Sequence, residues 1–211
     1  MEGLMDYWDS LVGNNKEELK VEKREASLRE PVVNEHISTI IKAHSARLGV
    51  DYKTAIDNAL KFSTYVGLVE NSGKTYGRNV PEKGKEASSA SGLYQFLTDD
   101  EMGQSAWQTA LNRTKKYTGQ QDWISKSYEY GKDGVELTTR NQQTAVFLAD
   151  ILEKKHSDKY MKGILEGDRS NWAAAYKELH YRGKTTPAAM KNAEEVYKQE
   201  VESTEWQYTG D

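Results

Sequence analysis

The sequence predicts a mainly α-helical domain with one loop-rich lobe in its middle and an extension ahead of it. Three observations carry this. Apolar residues recur three and four positions apart in several stretches, the spacing that lines one face of a helix. Two capping boxes, Thr98-Asp99-Asp100-Glu101 and Thr139-Arg140-Asn141-Gln142, mark helix starts. Residues 71–92 are crowded instead with Gly, Ser, Asn and Lys, the composition of a long polar loop.

Residues 1–30 read as an N-terminal extension or tether, and residues 31–211 as the domain. Leu4, Met5, Tyr7, Trp8, Leu11 and Val12 form a short amphipathic stretch able to dock on the domain or on another protein. The Glu- and Lys-rich run up to residue 30 reads as a solvated helix or a flexible tether. Ile37, Ile40, Ile41, His44 and Leu48 then share a helix face, where His44 reads as a packed core histidine rather than a ligand. Gly49 ends that helix, and Asp51 can cap the next, which runs to about Glu70. The loop that follows closes with a small hairpin at Leu93-Tyr94-Gln95-Phe96. The first capping box opens a helix through Met102, Ala106 and Ala110, and residues 117–136 form a polar connection holding Trp123, Tyr128 and Tyr130. The second box opens a helix with Ala145, Leu148, Ala149 and Leu152 on one face. Trp172, Ala175, Tyr176 and Leu179 mark another helix. Thr186-Pro187 starts the last, with Met190, Ala193, Val196, Tyr197 and Val201 inward.

A chain of 211 residues can build one sizeable core and is too short for two. Hydrophobic residues make up 36% and charged residues 29%, as in a soluble globular protein. The net charge is -4 without a long block of one sign, so nucleic acid is not expected as the main partner. Cysteine is absent, which excludes disulfides, thiolate catalysis and zinc–thiolate sites. His36, His44, His156 and His180 are scattered, and none lies in an HExxH motif, so no metal or cofactor is expected. No apolar run reaches the roughly 18 residues of a membrane span. The acidic start, Met1-Glu2-Gly3-Leu4-Met5-Asp6, lacks the apolar stretch of a secretory signal.

Chemistry concentrates at Glu70. At about 100° per residue, Ile56, Ala59, Ser63 and Val66 fall within about 40° of it on the wheel, and Asp57 and Lys61 fall opposite. Glu70 thus sits on the inward stripe of an amphipathic helix and at its C-terminal end. Desolvation and the negative end of the helix dipole both disfavour its carboxylate. A carboxylic acid kept protonated near neutral pH can donate to the leaving oxygen of a glycosidic bond. The bland alternative is a helix-terminal Glu facing solvent.

Val69-Glu70-Asn71-Ser72-Gly73, upstream of Ser91-Gly92-Leu93-Tyr94-Gln95-Phe96, resembles the soluble lytic transglycosylases and goose-type lysozymes. There a catalytic Glu ends a helix, and a Ser/Ala-Gly-Leu-x-Gln segment closes over the sugar chain. Asn141 with Ala145 and Leu148, Ala174-Ala175-Tyr176, and Tyr197 match further motifs of that superfamily in order, across roughly residues 50–200. Asn71, Tyr94, Lys177 and Glu178 depart from its usual residues. The resemblance implies a lysozyme-like, two-lobed fold with the glycan in a cleft. It implies Glu70 as the one catalytic carboxylate, acting as acid and then base. It places Ser72, Ser91, Gly92, Tyr94, Gln95 and Asn141 against the substrate. A second register puts Tyr181-Arg182-Gly183 at the tyrosine motif. Tyr181 is then the preferred cleft tyrosine, because Tyr176 shares the core face of Trp172 and Leu179.

Each of these residues also has a structural reading. Gln95 can brace its own loop, Ser91 and Gly92 can form a simple turn, and Trp107, Trp123, Tyr128 and Tyr130 can be core or rim. For a second carboxyl, Asp99, Asp100 and Glu101 are explained by capping, and Glu82 and Glu86 lie in a Lys-rich loop. The expectation is a peptidoglycan lytic transglycosylase that cuts between N-acetylmuramic acid and N-acetylglucosamine and leaves 1,6-anhydro ends. Alternatives are a hydrolytic lysozyme or endolysin, a chitin- or chitosan-degrading enzyme of the same fold, and a non-catalytic virion protein that only binds glycan. The expected setting is a bacteriophage virion acting in the bacterial periplasm, with residues 1–30 touching other virion proteins.

Overall fold

The structure, a computed structural model, describes residues 35–71, 90–97, 106–119, 140–154, 158–180, 187–200 and 202. Their regular structure is mainly helical: α1 (Glu35–Leu48), α2 (Tyr52–Asn71), α3 (Ala106–Thr118), α4 (Arg140–Leu152), α5 (Asp158–Glu166), α6 (Trp172–Leu179) and α7 (Pro187–Glu200). Between α2 and α3 lies a short antiparallel ladder, β1 (Ala90–Ser91) against β2 (Phe96–Leu97), pairing Ala90 with Leu97 and Ser91 with Phe96. The expected extension at 1–30 and the first capping box lie outside the described residues.

The junction of α1 and α2 follows the expected chemistry. Gly49 adopts φ +70°, which a residue without Cβ does at no steric cost, and Val50 N–H donates back to the Ser45 carbonyl at 3.0 Å. Asp51 Oδ2 then accepts the Thr54 backbone N–H at 2.9 Å and caps α2. That hydrogen bond from Thr54 holds the Asp51 carboxyl below the usual range. Ile56, Ala59, Ser63 and Val66 of α2 are all buried, and Asp57 pairs with Lys61 at 2.8 Å on the outer face. His44 is buried, with Nε2 2.8 Å from the Tyr117 hydroxyl.

The second capping-box helix departs from expectation. Every residue from Gln143 to Leu152 in α4 is buried, not one face alone. The reason is position: α4 packs on α1, α2 and α3, while the hairpin hydrogen-bonds to its N-terminal part. Its polar residues are therefore paired. Gln143 Oε1 accepts the Leu93 N–H at 2.7 Å, Thr144 meets the Tyr94 hydroxyl at 2.9 Å, and Asp150 pairs with Arg113 and, at 2.8 Å, with Lys154.

Helix α5 was not foreseen in the sequence. It buries Met161, Gly163, Ile164 and Leu165 and packs against α2 and α6. Asp168 turns the chain into a 3-10 segment, Arg169–Asn171, by accepting the Ser170 N–H at 3.1 Å. In α6 the four expected residues, Trp172, Ala175, Tyr176 and Leu179, are the buried ones. In α7, Ala193 and Tyr197 are inward and Met190 is partly buried, as expected; Val201 and the Val196 side chain lie outside the described residues. The Arg169 guanidinium lies 4.2 Å from the Tyr197 ring centre and pairs with Glu194 at 2.6 Å, tying α7 to the turn before α6. No helix among the described residues is long and apolar enough to cross a membrane.

Candidate active site

Three elements meet at Glu70. The last turn of α2 carries Glu70 itself, α6 contributes Tyr176 and ends at His180, and the hairpin contributes the Tyr94 backbone. Tyr176 and His180 are four positions apart on α6, so they share one face. The Tyr176 hydroxyl donates to Glu70 Oε1 at 2.6 Å. His180 Nε2 lies 3.7 Å from the same oxygen and 2.7 Å from the Tyr94 carbonyl oxygen.

The Glu70 side chain is only 12% exposed. Burial pushes its pKa up to about 7, against the opposing pull of the Tyr176 hydroxyl, which favours the carboxylate. The C-terminal end of α2 adds a local negative potential in the same direction as burial. At neutral pH a large fraction of Glu70 therefore carries its proton. Burial pushes the His180 imidazole down to about 4, so it is neutral at that pH. Because a carbonyl only accepts, the His180 proton sits on Nε2.

The hairpin is seated on α2 one turn before Glu70. A Cβ on Gly67 would come within 2.8 Å of Leu93 Cδ1, so only glycine leaves room for Leu93 without a shift. The turn needs positive φ at Gly92 (78°) and at Gln95 (47°). Gln95 Nε2 donates to the Gly92 carbonyl at 2.8 Å, so at least this part of its amide braces the turn. Gly92 is itself buried.

One expectation needs correction. Tyr94 does not face a substrate: it is 1% exposed, stacked on Phe147 with ring centres 4.2 Å apart, and its hydroxyl meets Thr144. The turn buries both Leu93 and Tyr94, and the Tyr94 carbonyl faces His180. Tyr176 is buried, as expected of a core residue, and its hydroxyl also donates to Glu70. Trp107 is likewise buried, packed on Phe96 at 5.4 Å, so it serves the core. Asn141 is half-buried in the first turn of α4, and no hydrogen bond or ion pair among the described residues joins it to Glu70. Ser72, Tyr181, Trp123, Tyr128, Tyr130, Glu82, Glu86 and the Ser91 side chain lie outside the described residues.

His180 beside Glu70 and Gln143 beneath the hairpin are neighbours of the site that sequence reasoning missed. The four-residue spacing from Tyr176 to His180 was the available signal for the first; nothing local marks the second. Among the described residues no group of His, Cys, Asp and Glu is placed to hold a metal ion. No protein-family model, no curated protein and no solved structure matches this chain.

Proposed function

We propose that the protein cleaves the β-1,4 bond between N-acetylmuramic acid and N-acetylglucosamine in peptidoglycan, as a lytic transglycosylase. The observation that carries this is the buried Glu70 carboxyl, raised to about 7 and held through one oxygen by Tyr176. With Oε1 accepting from Tyr176, the acid proton belongs on Oε2, the oxygen left to face a glycosidic oxygen. Glu70 protonates the leaving oxygen as the bond to C1 breaks, and the sugar's own acetamido group stabilises the cation that forms. The Glu70 carboxylate then takes the proton of the 6-hydroxyl, whose oxygen closes on C1 to give the 1,6-anhydro end. As the carboxylate develops, the Tyr176 hydrogen bond becomes charge-assisted and strengthens.

A hydrolase of this kind uses a pair of carboxyls. Among the described residues the groups against Glu70 are a phenol and an imidazole, and the proposed route uses Glu70 as its one carboxyl. The same reading assigns a lysozyme-like, two-lobed fold with the glycan in a cleft that Glu70 faces. It also places the protein in a bacteriophage particle, attached through residues 1–30 and acting on the wall in the periplasm.

A zymogram on purified sacculi compares wild type with Glu70→Gln. A loss of about 100-fold or more is expected from removing the acid; equal turnover removes Glu70 from the mechanism. Mass spectrometry of the digest should find anhydromuramic ends, and reducing ends alone would indicate hydrolysis. Because the acid form is the active one at the first step, kcat/KM should decline as pH rises above about 7.

A further inference from the structure

His180 takes no part in the steps just described, yet its position is tightly specified. It ends α6, where its N–H donates to the Tyr176 carbonyl at 3.0 Å. Its ring stands edge-on to Phe96 and Phe147, with centres 5.1 and 5.3 Å away. That packing aims Nε2 between two acceptors on different elements: the Tyr94 carbonyl at 2.7 Å and Glu70 Oε1 at 3.7 Å. The second distance is beyond hydrogen-bond reach, so the proton belongs to the hairpin in this state. The titratable and charged groups around the ring are Glu70 on α2, Tyr94 on the hairpin, Asp150 on α4, Lys154 just past its end, and Tyr176 on α6. Lys154 and Asp150 pair with each other at 2.8 Å.

We propose that the His180 Nε2–H is a shared donor, held by the hairpin carbonyl while Glu70 is neutral and drawn to Glu70 Oε1 once the carboxyl has given up its proton. His180 is then a positioning residue that links the charge on Glu70 to the seat of the hairpin. An ionised oxygen attracts an N–H more strongly than a neutral carbonyl does, and a movement of roughly 1 Å brings the two within bonding distance. The link runs both ways. A displacement of the hairpin carbonyl frees the donor for Glu70 and makes it a stronger acid. The inference rests on reading Glu70 as the acid.

The test follows the Glu70 carboxyl directly, by carbon NMR of glutamate-labelled full-length protein, with the signal identified by its loss in Glu70→Gln. In His180→Met, which has no donor, the titration midpoint should rise by about one unit; in His180→Gln, whose amide reaches the same place, it should stay near wild type. The alkaline limb of the pH–rate profile on sacculi should move with it. If the Met variant does not fold, His180→Asn replaces it, since its amide is too short to reach both acceptors. An unchanged midpoint in the Met variant or its Asn replacement, or an equal rise in the Gln variant, overturns the shared donor. An inactive wild type whose midpoint still moves supports the shared donor and removes the enzymatic reading.

Discussion

At the scale of single residues, the environment that raises the Glu70 pKa also makes its ionised form costly to the fold. Its pKa lies near 4.5 when exposed and about 7 in the folded chain. Below pH 4.5 both states carry the proton and nothing is lost. Between the two values the unfolded chain releases its proton while the folded chain keeps it, so stability falls as pH rises. Above about pH 7 the loss is complete. Glu70→Gln keeps the neutral shape at every pH. It should therefore be more stable than wild type at pH 8, by about 3 kcal/mol, and no more stable at pH 4. Urea unfolding at the two pH values measures this, and an equal gain at both would contradict the raised pKa. The inward placement of Glu70 was legible in the α2 pattern. Its bond to Tyr176 was not, because the two residues are 106 positions apart.

At the scale of elements, the hairpin and α2 form one unit through the contact at Gly67. Two opposing effects meet in Gly67→Ala. Alanine favours the helix by about 1 kcal/mol. The new Cβ, 2.8 Å from Leu93 Cδ1, crowds the core at a cost of about 1–3 kcal/mol. Net stability should change by less than about 2 kcal/mol, while Leu93 and the neighbouring Tyr94 carbonyl shift relative to Glu70. Turnover on sacculi should then fall by about tenfold or more. A variant with wild-type turnover would show that the hairpin seat does not matter to the chemistry. The helix starts and stops around this unit were readable, since Gly49 and Asp51 act on their immediate neighbours. The nine-residue α5 was legible by spacing, since Met161, Ile164 and Leu165 stand three and four positions apart.

At the scale of the whole molecule, α4 is enclosed by α1, α2, α3 and the hairpin. Phe147 lies at 0% exposure and touches Phe62 of α2, Tyr94 of the hairpin and His180 after α6. Phe147→Ala should lower unfolding free energy by about 3–5 kcal/mol, from lost burial plus the cavity left behind. Leu97→Ala, at a position 45% exposed, should stay within about 0.5 kcal/mol. Urea midpoints of the two variants make the comparison, and similar losses would mean that Phe147 is not packed in the core.

The sequence by itself determined the helical class, the junction of α1 and α2, the buried face of α2 that ends at Glu70, and the four inward residues of α6. Each depends on spacing or capping within one or two turns, where chain neighbours are also spatial neighbours. Only the tertiary structure decided that α4 is enclosed, that Tyr94 faces inward, and that Tyr176 and His180 converge on Glu70. Those outcomes depend on which elements pack together, and contacts across so many intervening residues leave no periodic trace in the chain.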